Sequence, residues 1–125
     1  MKELKVEDYE KLKRPRFEVY KTKKGEWRWR YCTSKGIKLA TGRQGFSTKS
    51  NAIRSVRRVR NLLNGPAKKR KVLHDFKGPW RLYNTNHCMA VGTKFFELWP
   101  EANKNFRMFF LSSTSKLTVL IQTKK

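Results

Sequence analysis

Arg28 and Arg30 alternate with Trp27, Trp29 and Tyr31 in the run Glu26-Trp27-Arg28-Trp29-Arg30-Tyr31. Successive side chains of a strand point to opposite faces, so this spacing sends guanidiniums to one side and aromatic rings to the other. Lys38 repeats the pattern in residues 37–41, with Ile37 and Leu39 on the aromatic side. Three cations side by side on a ribbon of strands suit phosphate contacts or guanine edges in a major groove. The competing use of the same cations is cross-strand pairing with Glu18 and Glu26. Trp27 and Trp29 could stack on bases, but their strand spacing fits a core face better.

A second set of cations has helical spacing. Ala52, Val56, Val59 and Leu63 form an apolar stripe flanked by Ile53, and Arg54, Arg57 and Arg58 point away from it. Ser47-Thr48-Lys49-Ser50 offers capping side chains before this stripe, and Asn64-Gly65-Pro66 ends it. Arg43 and Lys49, with the turn residues Lys21, Lys23, Lys24 and Lys35, suit phosphate contacts. Lys68, Lys69, Arg70 and Lys71 make a basic linker over residues 65–71; it reads as a solvated or phosphate-touching connection, or as a short import-like signal. The helix cations face away from the sheet cations. One duplex would reach both only by wrapping, or two duplexes would be bridged.

Catalytic chemistry has little to stand on. No paired carboxylates have distinctive spacing and no glycine-rich phosphate loop is present. His74, His87, Cys32 and Cys88 are the soft ligands, and His87-Cys88 is adjacent rather than spaced for zinc. The expectation is a protein that is not an enzyme and holds no metal and no cofactor.

Composition points the same way. The 125 residues carry 31 Lys and Arg against 9 Asp and Glu, a net charge of +22. Residues 1–72 hold 23 of these cations and 6 acids; residues 73–125 hold 8 and 3. Such imbalance repels itself and is relieved by a polyanion, whose condensed counterions are released on contact. Hydrophobic residues make up 38% and aromatics 13%, enough for a core. No apolar run has the ~18 residues of a membrane span, and the first residues lack a secretory-type apolar segment. Two cysteines form no disulfide framework. These features predict a cytoplasmic protein without membrane partners, nucleoid-associated in a bacterial or phage setting and nuclear only in a eukaryotic one.

The elements that must position these residues follow from periodicity. Residues 1–15 read as a charged arm or short helix, with Leu4, Val6 and Tyr9 as a weak stripe ended by Pro15. Strands are predicted over 17–20, 26–31 and 37–41, with turns at Gly25 and Gly36, followed by a helix from about residue 48 to Leu63. A shift of 50 residues places Ala40 on Ala90, Gly42 on Gly92, Phe46 on Phe96 and Ala52 on Ala102. The second half therefore predicts strands over 72–76, 79–83 and 87–91 and a helix over 99–111, with Pro100 in its first turn. Residues 117–121 add a further strand. The expected fold class is α+β: two tandem β-β-β-α units, over 16–64 and 72–125, each a three-stranded antiparallel sheet with a helix on one face, plus a C-terminal strand.

The motifs FEVY (17–20), KGEWRWR (24–30) and GFSTKSNAIRSV (45–56) resemble the repeats of the YegP-like family of small bacterial and archaeal domains. The resemblance covers residues 16–63 closely and 72–111 in outline, and it implies a tandem β-β-β-α fold more firmly than a role. The Arg-rich helix, Arg54 to Arg60, and the strand after residue 112 depart from the family pattern. The outline is also similar to the arm-site domains of tyrosine integrases and to plant ethylene-response domains, which set a sheet face against DNA; that is an analogy of fold.

The functional expectation is a non-catalytic protein binding nucleic acid, DNA before RNA, with little sequence specificity, of the kind phages and mobile elements encode. Its contact residues would be Arg28, Arg30, Lys38, Arg43, Lys49, Arg54, Arg57, Arg58, Lys68, Lys69, Arg70 and Lys71. The alternative is a protein-interaction module on an acidic protein or ribonucleoprotein. Phe95, Phe110, Leu117 and Val119 would offer a surface to a second copy or a protein partner, with 117–121 pairing as an edge strand.

Overall fold

The computed structural model describes residues 1–5, 13–75 and 77–122. Among them, β1 (Lys2–Lys5), β2 (Arg16–Lys21), β3 (Trp27–Cys32) and β4 (Lys38–Thr41) precede α1 (Lys49–Asn64). A 3-10 turn (Ala67–Lys69) leads to β5 (Lys71–His74), β6 (Trp80–Tyr83), β7 (Cys88–Gly92), α2 (Trp99–Ser113) and β8 (Val119–Gln122). Gly25 and Gly36 turn the first hairpins with φ of 88° and 83°, a region that favours glycine.

All eight strands join one mixed sheet in the order β1-β8-β2-β3-β4-β7-β6-β5. The expectation of two separate three-stranded sheets is corrected here. β4 and β7 pair antiparallel, Ala40 with Gly92 and Thr41 with Val91, which removes the edges where two small sheets would have ended. β8 enters parallel to both β1 and β2. It is an interior strand and not the edge expected of 117–121. The N-terminal helical reading also fails where it is described, because residues 2–5 form a strand; Val6 and Tyr9 lie outside the described residues, as does Phe76.

Both helices feed one apolar cluster. α1 contributes Ala52, Val56, Val59 and Leu63, and α2 contributes Ala102, Phe106 and Phe109. Phe109 meets Tyr31 edge-on at 5.2 Å and stacks on Trp80 at 5.3 Å. Each half anchors its helix through a buried tryptophan. Trp29 Nε1 donates to Ser55 Oγ at 3.0 Å, and Trp80 Nε1 donates to Asn105 Oδ1 at 2.9 Å. Corresponding irregularities interrupt β3 at Tyr31/Cys32 and β6 at Leu82/Tyr83. The first of these sets Ala40 opposite Tyr31 and Lys38 opposite Cys32. As a result Ile37 is exposed, at 46%, instead of lying on the helix side as alternation predicted.

Burial at β3 has a consequence at high pH. Desolvation pushes the Cys32 thiol from its ordinary value of 9.0 to about 11, with the nearby Glu18 charge adding to the shift. Burial raises the Tyr31 phenol as well. The folded form keeps these protons longer than the unfolded form. Their contribution to stability is therefore complete below pH 9 and is lost as pH rises through about 11. Urea midpoints measured from pH 7 to 11 should fall over that window, and Cys32→Ala should flatten the decline relative to its own pH 7 value.

Candidate nucleic-acid interface

Most of the arginines are engaged within the fold. Arg16 and Arg30 each place Nε 2.6 Å from an oxygen of buried Glu18. Arg14 donates to the Leu117 carbonyl, Arg60 to the carbonyls of Ser113 and Ser115, and Arg70 to those of Leu63 and Gly65. Arg57 pairs with Glu3, Arg81 with Asp75, and Arg28 with Glu26 at 3.9 Å. Among the described residues, Arg43, Arg54, Arg58 and Arg107 have no such partner. Three of these four line one groove.

The groove has a volume of about 850 Å³ and runs between α1 and the β6–β7 connection. Asn51, Arg54, Ser55, Arg58, Asn61 and Leu62 form its helical wall. Their spacing of three and four residues keeps them on one face of α1, while Arg57 turns aside to Glu3. Thr48 starts the helix, its Oγ1 accepting from the Asn51 amide at 3.1 Å. The opposite wall is Tyr83, Asn84, Asn86, His87, Cys88 and Met89. Asn84 Oδ1 accepts from the amides of Asn86 and His87 at 3.0 and 2.8 Å, which fixes that turn.

Arg43 and Gln44 close one end with Phe46. Their loop is pinned on both sides. Gly42 lies against Trp29, and Phe46 exchanges two backbone hydrogen bonds with Trp27 at 2.8 and 2.7 Å. Among the described residues, no carboxylate lines the groove. Burial raises the Cys88 thiol, and the charge of Arg43 draws it partly back. The lining is thus three guanidiniums and several amides interspersed with Phe46, Leu62, Tyr83 and Met89.

The other expected contact residues are dispersed. Arg28, Arg30 and Lys38 do not form one open face, because Arg30 is held by Glu18 and lies 4.5 Å over the Tyr20 ring with its side chain 19% exposed. Lys38 is exposed on the neighbouring strand. Lys49 sits 5.6 Å over the Trp27 ring. Lys68, Lys69 and Lys71 are exposed, whereas Arg70 caps the end of α1 and lies 4.7 Å over Phe110. Trp29 is core and Trp27 packs against it.

Of the expected partner surface, Phe95 and Leu117 are exposed, Phe110 is half-buried beneath Arg70, and Val119 is fully buried between β1 and β2. That burial removes Val119 from any surface. Sequence reasoning missed Phe46, Leu62, Met89, Tyr83 and the amides of the groove. Their only sequence signal was the Asn-Thr-Asn-His turn opposite an arginine-bearing helix. No group of three or more His, Cys, Asp or Glu that could hold a metal occurs among the described residues, and none of their helices is long and apolar enough to cross a membrane.

No family model matches the chain, and no curated protein does. Two solved structures are similar in fold. The solution NMR structure of yegP from E. coli, described as a protein of unknown function, superposes with a TM-score of 0.69 at 16% identity, covering 90% of this chain and 96% of that one. A UPF0339 protein from Shewanella oneidensis gives a TM-score of 0.69 at 12% identity, covering 87% of this chain and 92% of that one. The chain therefore has a YegP-like fold, and at these identities the likeness extends to the fold alone.

Proposed function

We propose that this chain is a non-catalytic nucleic-acid-binding protein that holds a phosphate backbone in the groove between α1 and the β6–β7 connection. One observation carries the reading. Among the described residues, three of the four arginines not engaged within the fold line a single groove that contains no acid. Guanidiniums left unpaired by the fold are available for bidentate phosphate contacts. Backbone contacts of this kind bind with little sequence preference.

We also read the chain as two copies of one β-β-β-α unit. The paired tryptophan anchors, the strand irregularities and the glycines 42 and 92 support this. At the same shift of 50 residues, Arg43 corresponds to Thr93 and Arg58 to Met108, and only Arg54 falls on another cation, Lys104. The three guanidiniums thus come from the first copy, in keeping with the concentration of charge in residues 1–72, while residues 83–89 of the second copy form the facing wall.

Fluorescence anisotropy with labelled oligonucleotides tests the reading. Each lost phosphate contact lowers the slope of log affinity against log salt by about 0.7 on single strands and 0.9 on duplex. The double variant Arg54→Ala/Arg58→Ala should bind about tenfold or more weakly, with a slope shallower by roughly 1.4 to 1.8. Arg107→Ala, which removes the remaining unengaged arginine from α2, should bind as the parent does. Equal affinity and slope in the double variant would overturn the proposal.

A further inference from the structure

We infer that the groove accepts an unpaired nucleotide, with its base against the apolar side chains of the lining and its flanking phosphates on the arginines, so that single strands are preferred to duplex. This rests on the nucleic-acid reading above and specifies the ligand of that site. A site for phosphate alone needs cations and backbone donors. This groove has in addition apolar side chains in its lining: Phe46, Leu62 and Met89 are half-buried, and Tyr83 is steadied by Arg81, whose Nη1 donates to its hydroxyl at 2.9 Å and whose guanidinium lies 5.6 Å from its ring centre. At about 850 Å³ it lies within the roughly 300–1,000 Å³ of pockets that enclose small ligands.

The shape of the site separates the two forms of nucleic acid. A duplex keeps its bases stacked and turns its phosphates outward, so it would meet the arginines and leave the apolar side chains uncovered. An unpaired nucleotide meets both, because every base has a π-face that stacks without regard to sequence. The polar lining suits base edges. Among the described residues, the side-chain amides of Gln44, Asn51, Asn61 and Asn86 make no hydrogen bond within the chain, and each offers two donors and an acceptor. The walls are already fixed by the Thr48 cap and the Asn84 turn. Little ordering is therefore required on binding.

The test compares four probes at two salt concentrations on the full chain. They are an oligothymidylate, an oligouridylate, an abasic deoxyribose-phosphate strand of equal length, and a hairpin duplex. Stacking of one base on an aromatic side chain implies that the thymidylate or the uridylate binds about tenfold more tightly than the abasic strand. The same strand should also exceed the duplex, and the two arms tell DNA from RNA. Phe46→Leu, which removes a lining ring and frees no guanidinium, should narrow the gap to the abasic strand by more than it alters duplex affinity. Because the abasic comparison uses the parent chain, it stands even if that variant folds poorly. Photocross-links from iodouracil-bearing strands should map to residues 83–89 or to α1. Abasic and duplex probes binding as tightly as the base-bearing strands would overturn the inference and leave phosphate binding intact. Cross-links confined to β2 and β3 would overturn the placement. Failure of every probe to bind at low salt would instead overturn the underlying reading.

Discussion

Glu18→Ala lowers the stability of the chain by about 3–5 kcal/mol, the loss expected when one partner of a buried ion pair is removed. The carboxylate is 1% exposed and accepts from Arg16 Nε and Arg30 Nε, both at 2.6 Å. The Arg16 and Arg30 side chains are themselves 6% and 19% exposed. Deleting the acid leaves two largely desolvated guanidiniums facing the space it occupied, and water reaches that space poorly. Urea denaturation and thermal melting measure the loss, which corresponds to a melting temperature roughly 10 °C lower or more. The exposed Arg28–Glu26 contact, at 3.9 Å, is the control: Arg28→Ala should change stability by no more than about 0.5 kcal/mol. A loss below about 1 kcal/mol for Glu18→Ala would show that the triad is effectively solvated. The same geometry determines which variants can probe binding. Reversing Arg30 to Glu would set a second carboxylate against Glu18 and lower stability, so any change in affinity would be confounded with unfolding. Arg43, Arg54 and Arg58 carry no such penalty among the described residues.

Glu18 also marks where the sequence stops being readable. In Phe17-Glu18-Val19-Tyr20 alternation places Glu18 outward, where cross-strand pairing with the sheet cations is legible but burial is not. The residue does lie on the face opposite Phe17, but β8 enters beside β2 in parallel and sets Ile121 next to Glu18. Pairing between residues separated by about a hundred positions leaves no local periodicity to detect. β2, β3, β4 and α1 were legible because alternation, turn glycines and capping residues all agreed. α2 was legible through Pro100 and the apolar spacing of Ala102, Phe106 and Phe109. The joining of the halves through β4 and β7, the strand β1 and the irregularity that exposes Ile37 were not, since each depends on a distant partner. The groove was half legible. Arg54, Arg58 and Arg43 were selected as cations, yet Arg57 and Arg30 have the same local pattern. Only the placement of Glu3 and Glu18 shows that the fold engages those two and leaves the others available.

The glycines facing the two tryptophan anchors give the second large effect. Trp80 is fully buried, stacked on Phe109 and edge-on to Phe106 at 5.1 Å, with its Nε1 proton on Asn105. Trp80→Ala should cost about 3–5 kcal/mol through lost contacts and an unfilled cavity. Gly92 is the reason the ring can sit there. A Cβ at that position would lie 2.6 Å from Trp80 Nε1, and one at Gly42 would lie 2.6 Å from Trp29 Nε1. Neither glycine has positive φ, so the requirement is space for the indole and not backbone freedom. Gly92→Ala must therefore displace the ring and strain its bond to Asn105, a buried amide whose loss of a partner costs about 1–3 kcal/mol. The two changes should not add. With Trp80 already replaced by Ala, the added methyl meets no ring, and Gly92→Ala should cost little further stability. A double-mutant cycle read by urea denaturation measures this, and the same cycle on Gly42 and Trp29 repeats it in the first half. Additive losses in either cycle would mean that the glycine is required by the strand itself, and the packing account of the anchors would be wrong.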